Sequence, residues 1–128
     1  MTEPERRLVL VVEDSGECAE TLQIALESLP NIRICVCPNV RGMWPLLESY
    51  SSRLAAVVTD LHLAGSDGFE VIRSLRADER FSRIPIVLVS GDSDPRLSQT
   101  ALARGASAYF LKPYSPSAVR KKLEELLC

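Results

Sequence analysis

The sequence has one histidine, one tryptophan and no apolar run longer than a β-strand. The longest apolar stretches, Leu8 to Val12 and Leu54 to Val58, are far too short to span a bilayer. The opening residues MTEPERR are polar and lack the apolar core of a signal peptide, so the chain is expected to be cytoplasmic. Neither charge dominates: 15 Lys and Arg stand against 17 Asp and Glu, and the formal charge of −2 argues against a direct nucleic-acid surface. Four cysteines without a repeating spacing do not make a disulfide framework in a chain able to bury a core. Cys35 and Cys37 fall on one face of an expected strand, but a zinc site needs two more ligands, and His62 is the only histidine. There is no internal repeat and no linker. With 46% hydrophobic and 25% charged residues, 128 positions are expected to form one soluble domain, residues 1–128, with an ordered core of about 7–127 and no output domain.

What is there is an alternation of strand-like and helix-like segments. Met1 to Arg6 is polar and expected to fray at its start, and Leu8 to Val12 then reads as a strand buried on both faces, ending in Glu13 and Asp14. Cys18, Leu22, Ala25, Leu26 and Leu29 recur at helical spacing until Pro30-Asn31 stops them. Ile32 to Cys37 fits a less apolar strand near the sheet edge. A second helix follows; Asn39 is a possible cap, but Gly42 and Pro45 predict a late start near Met43. Leu54 to Val58 is a third strand ending at Asp60, and its loop closes with Ser66-Asp67-Gly68. Phe69, Val71, Ile72 and Leu75 mark a third helix, and the polar run Ala77 to Arg83 a loop. Ile84 to Val89 is a fourth strand ending in Ser90. The fourth helix has Asp94 as N-cap, Pro95 in its first turn and Gly105 beyond its last, with a meagre apolar face of Leu97, Ala101 and Leu102. Ala108 to Leu111 is a short fifth strand ending at Lys112-Pro113, and Ser115-Pro116 opens a last helix with Val119, Leu123, Leu126 and Leu127 on one face.

Five strands alternating with five helices predict an α/β fold, a doubly wound parallel sheet covered on both faces. Ligands and chemistry in such folds gather at the carboxyl ends of the strands. Those ends carry Glu13 and Asp14, then Asp60, Ser90 and Lys112. Converging carboxylates repel one another, and Mg²⁺, an oxygen-seeking cation, removes the conflict. An aspartate so placed can act as nucleophile towards a phosphoryl group, with the metal, the Lys112 ammonium and the Ser90 hydroxyl sharing the charge.

The motifs VLVVEDS, VVTDLHLAGSDG, VLVSGD and YFLKPYS, in that order, resemble the receiver domains of two-component response regulators over about Arg7 to Leu127. The resemblance implies a CheY-like sheet in the order 2-1-3-4-5. It implies that Glu13, Asp14, Asp60 and the backbone carbonyl of His62 hold Mg²⁺ or Mn²⁺. Asp60 would accept a phosphoryl group from a histidine kinase or a histidine phosphotransfer protein. Ser90 and Tyr109 would be the switch pair, Lys112 the phosphate-pairing lysine, and Lys112-Pro113 a cis peptide. The face made by the fourth helix, fifth strand and fifth helix would meet a downstream protein, with the chain a monomer or weak dimer.

Several positions depart from the family pattern. Leu63 and Ala64 stand where Met-Pro is usual, which should leave the loop less rigid, while Gly68 keeps the family's glycine. His62 and Asp92, two residues beyond Asp60 and Ser90, flank the route of an attacking water and are the positions the family varies to set phosphoryl lifetime. Side chains facing solvent without mutual contact are the favoured expectation there; the alternative is an ion pair across the pocket, an imidazolium opposite a carboxylate being favourable near neutral pH. Trp44 reads as core or surface filler, Tyr109 on its own as a core aromatic, and Arg73, Arg76, Arg120, Lys121 and Lys122 as solvated faces. Competing readings are an interaction module that takes no phosphate, against which the full set of strand-end groups speaks, and a haloacid dehalogenase-like phosphatase, which would want an aspartate where His62 stands. A flavodoxin-like carrier would place its phosphate against an acidic loop.

Overall fold

The structure, a computed structural model, describes residues 6–127; the expected fraying at the start and Cys128 fall outside these residues, save for residue 6. Five parallel strands, β1 (Arg7–Val12), β2 (Ile32–Cys37), β3 (Leu54–Asp60), β4 (Ile86–Ser90) and β5 (Ala108–Leu111), form one sheet in the order β2-β1-β3-β4-β5. Between and after them run α1 (Gly16–Leu26), α2 (Val40–Ser49), α3 (Gly68–Ala77), α4 (Arg96–Ala103) and α5 (Pro116–Leu127). Alternate residues of the buried strands face opposite layers, as a period of two requires. Leu8, Leu10 and Val12 of β1 pack with α2, α3 and α4, and Val9 and Val11 with α1 and α5. β3 is buried at every position, which explains its unbroken apolar run. Edge strand β2 is partly exposed; Cys37 belongs to the core, where burial pushes its thiol up to about 11. Among the described residues no helix is long and apolar enough to cross a membrane.

Four local expectations need correction. α2 starts at Val40, ahead of the expected Met43: the Asn39 side chain accepts from the Gly42 N–H at 2.8 Å, and burial of Val40, Met43 and Leu47 outweighs the one hydrogen bond that Pro45 removes inside the helix. β4 begins at Ile86, two residues after the expected Ile84, because Pro85 has no N–H for the ladder and contributes only its carbonyl, to Val57. α4 begins at Arg96 with Pro95 already helical, and the Asp94 carboxylate accepts from the Arg96 N–H at 2.9 Å, so Asp94 does a cap's work one residue ahead of the assigned boundary. Within the polar run after α3, Phe81 is fully buried in the core.

The loop after β3 holds an unanticipated two-residue hairpin, His62–Leu63 paired with Ser66–Asp67, turning at Ala64 and at Gly65 with φ of 75°. Asp67 then caps α3, accepting from the Glu70 N–H at 2.9 Å. Gly68 closes the loop by donating to the Leu61 carbonyl at 2.7 Å, and a Cβ there would meet Leu88 Cδ1 at 2.5 Å and the Asp60 carbonyl at 2.7 Å. Close approach, rather than an unusual φ, demands glycine at this point. Gly68→Ala is therefore expected to lower stability by about 1–3 kcal/mol, read by urea denaturation; an unchanged midpoint would show that the loop yields freely.

Candidate functional site

The parallel sheet brings the carboxyl ends of its strands to one edge, and its ladder runs on beyond them. The Glu13 N–H donates to the Cys37 carbonyl at 2.9 Å and the Lys112 N–H to the Ser90 carbonyl at 2.7 Å, which fixes the backbone under both side chains. Asp60 and Ser90 are the last residues of β3 and β4. All four lie next to a fully packed core, so their polar groups must find partners in one another or in the backbone N–H groups of the loops that follow the strands.

Asp60 and Glu13 are buried, at 6% and 3% exposure, and Lys112 lies between them. Its Nζ is 2.5 Å from Asp60 Oδ2 and 3.6 Å from Glu13 Oε2. The other Asp60 oxygen accepts from the His62 N–H at 3.1 Å, and Glu13 Oε1 accepts from the Ser15 N–H at 3.0 Å. Burial opposes ionisation of Asp60, yet the facing Glu13 carboxyl, the Lys112 ammonium and the His62 N–H together carry its pKa below the ordinary aspartate value. Glu13 goes the other way: burial first, then the facing Asp60 carboxyl, push it up to about 7. Burial also opposes the charge on Lys112, and Asp60 and Glu13 overcome it, so its pKa is raised. The resting site thus has an ionised Asp60, a charged Lys112 and a second acid that keeps its proton until near neutrality.

Glu13 Oε2 is buried without a hydrogen-bond partner. An orphaned carboxylate oxygen beside a second acid suits a hard cation, and the oxygen donors of Glu13, Asp14 and Asp60 fit one of the Mg²⁺ type. In the arrangement described, Asp14 is exposed to solvent and Lys112 bridges the other two acids. Among the described residues no three His, Cys, Asp or Glu side chains are gathered closely enough to hold a metal as they stand.

Around this centre the structure brings together more than was expected. His62 Nε2 and Asp92 Oδ2 approach to 3.9 Å across the mouth of the site, with side chains 68% and 45% exposed, so they face solvent and meet. Ser90 is fully buried, and its hydroxyl oxygen accepts from the Asp92 N–H at 3.0 Å. The Tyr109 hydroxyl is 3.5 Å from the Asp92 carbonyl, on the α4 side of the same loop. The Lys112-Pro113 peptide is cis. Cys18, read only as a core-facing helix position, places its Sγ 4.0 Å from Lys112 Nζ. The signal for it was its place in the first turn of a helix capped by Ser15, at the site end of the sheet.

A family model described as the response regulator receiver domain matches residues 9–124. The chain is similar to the chemotaxis protein CheY1 of Helicobacter pylori, 27% identical over 119 residues that cover 93% of this chain and 95% of that protein. It is also similar to two solved structures. One is the signal receiver domain of a signal transduction histidine kinase from Syntrophus aciditrophicus: 27% identity, TM-score 0.81, covering 94% of this chain and 89% of that one. The other is the signal receiver domain of a DNA binding response regulator protein from Colwellia psychrerythraea: 25% identity, TM-score 0.84, covering 94% and 97%.

The raised pKa of Glu13 has a sign that can be measured. The fold binds its proton more tightly than the unfolded chain does, so the stability this group contributes is full below about pH 4.5 and lost as the pH rises to about 7. Metal-free Glu13→Gln is expected to unfold like the parent at pH 4.5 and to be more stable at pH 8, by on the order of 3 kcal/mol. Thermal melts at both pH values test this; a variant less stable at pH 8 would mean that the Lys112–Glu13 attraction outweighs burial.

Proposed function

Because the chain belongs to the response regulator receiver family, we propose that it is a phosphorylation switch in which Asp60 takes a phosphoryl group from a histidine kinase or a histidine phosphotransfer protein. The observation that carries this reading is the Lys112–Asp60–Glu13 cluster: a nucleophile held ionised, at the mouth of the sheet, against an ammonium. An Asp60 oxygen attacks the phosphorus of a phosphohistidine. The P–N bond breaks, its electron pair leaves with the imidazole, which takes up a proton, and the new O–P bond makes an aspartyl phosphate. Glu13, Asp14, Asp60 and the His62 carbonyl would hold Mg²⁺ or Mn²⁺, which when bound supplies positive charge to the phosphoryl oxygens. Lys112 keeps its ammonium and exchanges the free carboxylate for a phosphoryl oxygen. The Ser90 hydroxyl now accepts from the Asp92 N–H, so its own proton is available to donate to the same group.

The new charge, about −1.5 to −2, acts on a loop built as a relay. Ser90 Oγ accepts from the Asp92 N–H, Asp92 Oδ1 from the Asp94 N–H at 3.0 Å, and Asp94 Oδ1 from the Arg96 N–H at the start of α4. A Ser90 hydroxyl drawn towards the phosphoryl group pulls on that series. α4 buries only Ala101 completely, so it is the helix least held by the core. Tyr109 loses its contact with the Asp92 carbonyl and turns inward, and the α4-β5-α5 face repacks. Leu102 and Leu111, 51% and 47% exposed, give that face apolar contacts for a downstream protein.

With an acyl phosphate donor and Mg²⁺, the chain is expected to give an acid-stable, base-labile phosphoprotein on a phosphate-affinity gel; Asp60→Asn should lose the band entirely, and a band that persists would remove the reading. His62 and Asp92 stand where water must pass to reach the acyl phosphate, so their contact is expected to slow hydrolysis. Dephosphorylation rates of His62→Ala, Asp92→Ala and the double variant should depart from multiplicative behaviour by about 1.5- to 5-fold. Independent effects would leave the pair without a role.

A further inference from the structure

Along α3, beginning at Asp67 of the hairpin, the structure holds a second polar concavity. Asp67, Glu70, Arg73 and Arg76 follow one another at intervals of three, so they form a stripe along α3 that passes from carboxylates at its N-terminal end to guanidiniums at its C-terminal end. Facing the stripe is the end of α4, where Arg104 lies over the Phe69 ring at 4.6 Å. Together they line a groove of about 650 Å³, within the range of small-molecule sites.

Some surface arginines are paired and others are not; outside the groove, Arg33, Arg41 and Arg83 have no hydrogen bond or ion pair among the described residues. Arg80, Arg96 and Arg120 each hold carboxylates: Glu48 and Asp78, Asp94, and Glu124. Among the described residues the guanidiniums of Arg73 and Arg104 have no hydrogen bond or ion pair. Arg76 is immobilised, with Nε and Nη2 donating to the Gly105 carbonyl at 3.1 and 2.7 Å and Nη1 to the carbonyls of Phe81 and Ser82 at 3.3 and 3.1 Å. Those partners are neutral, and burial lowers the pKa of Arg76, so its charge is fixed in place and only partly compensated. Two unpaired guanidiniums and the partly compensated one of Arg76 line the groove together with the carboxylates of Asp67 and Glu70.

Such a groove wants an anion at one end, but it is not uniformly basic. An acidic peptide lying along it would meet Asp67 and Glu70. A bare inorganic anion would use neither the stacked Arg104–Phe69 pair nor the length of the stripe, about 14 Å at 1.5 Å per residue. We propose that the α3–α4 groove binds a purine nucleotide, its phosphates on Arg73 beside the fixed charge of Arg76, its base on the outer face of Arg104, and its hydroxyl or amino donors towards Glu70 and Asp67. A guanidinium lying over a ring has a second side on which a base can stack, and the fork of Arg73 matches phosphate oxygens. The site is separate from Asp60 and does not depend on its phosphorylation.

The test is a titration of the ¹⁵N-labelled full chain with ATP in the absence of divalent ions, followed by its amide resonances, with adenosine and inorganic tripolyphosphate as separate arms. Saturable ATP binding below about 1 mM is expected, with the largest shifts at Phe69, Arg73 and Arg104, and each fragment at least about tenfold weaker. Arg104→Lys, which keeps the charge and loses the flat surface, should reduce ATP to the affinity of tripolyphosphate; Arg73→Ala should weaken both. Asp60→Asn should bind ATP as the parent does, so that failure of the phosphorylation reading and failure of this one are told apart. Absence of saturation by about 5 mM, equal affinity for ATP and tripolyphosphate, or shifts centred on Lys112 would overturn the proposal.

Discussion

An ammonium set between two nearly buried carboxylates is the constraint on which the rest of this molecule depends. Glu13 and Asp60 are brought together by adjacent strands β1 and β3, and without Lys112 their like charges would force one or both to stay protonated. Lys112 reaches them from β5 and resolves the conflict unevenly, sitting closer to Asp60 than to Glu13. Asp60 is thereby the ionised acid and Glu13 the one that holds its proton to about 7. Removing Lys112 would leave Asp60 a buried charge without its counterion, a loss that typically costs about 3–5 kcal/mol. The same arrangement makes the site receptive to a cation or a phosphoryl group, since either changes which charges Lys112 must satisfy.

The surrounding structure treats its two ends differently. At the end away from the site, Arg80 forks between Glu48 at the end of α2 and Asp78 after α3, and Arg76 ties α3 to the carbonyls of Phe81, Ser82 and Gly105. These contacts join the helices on one face of the sheet. At the site end the connections are shorter and lighter: a two-residue hairpin closed by the Gly68 N–H, and a run of single side-chain bonds from Ser90 to Arg96. A change of charge at Asp60 therefore acts first on the loop leading to α4, the helix with the least burial, while the Arg76 and Arg80 contacts hold the opposite end.

Much of this was legible in the linear chain, and the failures have identifiable causes. Four of the five sheet strands showed as apolar runs, and Glu13, Asp60, Ser90 and Lys112, which end or follow those four, stand at one edge of the sheet. Element boundaries were less secure wherever proline stood. Pro45 argued for a late α2 that the Asn39 cap and the burial of Val40 overrode, and Pro85 delayed β4 by lacking an N–H. The hairpin at His62–Leu63 and Ser66–Asp67 is too short to leave a periodic pattern. Phe81 was hidden in a polar run because one apolar residue in a turn has no period at all. Arg76 read as a solvated residue, since nothing nearby in sequence announces the Gly105 carbonyl, 29 residues away.

The sequence by itself determined the alternation of buried strands and amphipathic helices and the residues that stand at the strand ends, because burial imposes a periodicity on each segment separately. Family membership was legible for the same reason: its motifs are short and lie at those ends. Only the tertiary structure decided which groups meet. Lys112 reaches Asp60 across 52 residues of chain, His62 lies opposite Asp92, and Arg104 settles on Phe69. The partner of a long side chain depends on strand order and loop path, and these are settled by the packing of the whole sheet rather than by any one segment of it.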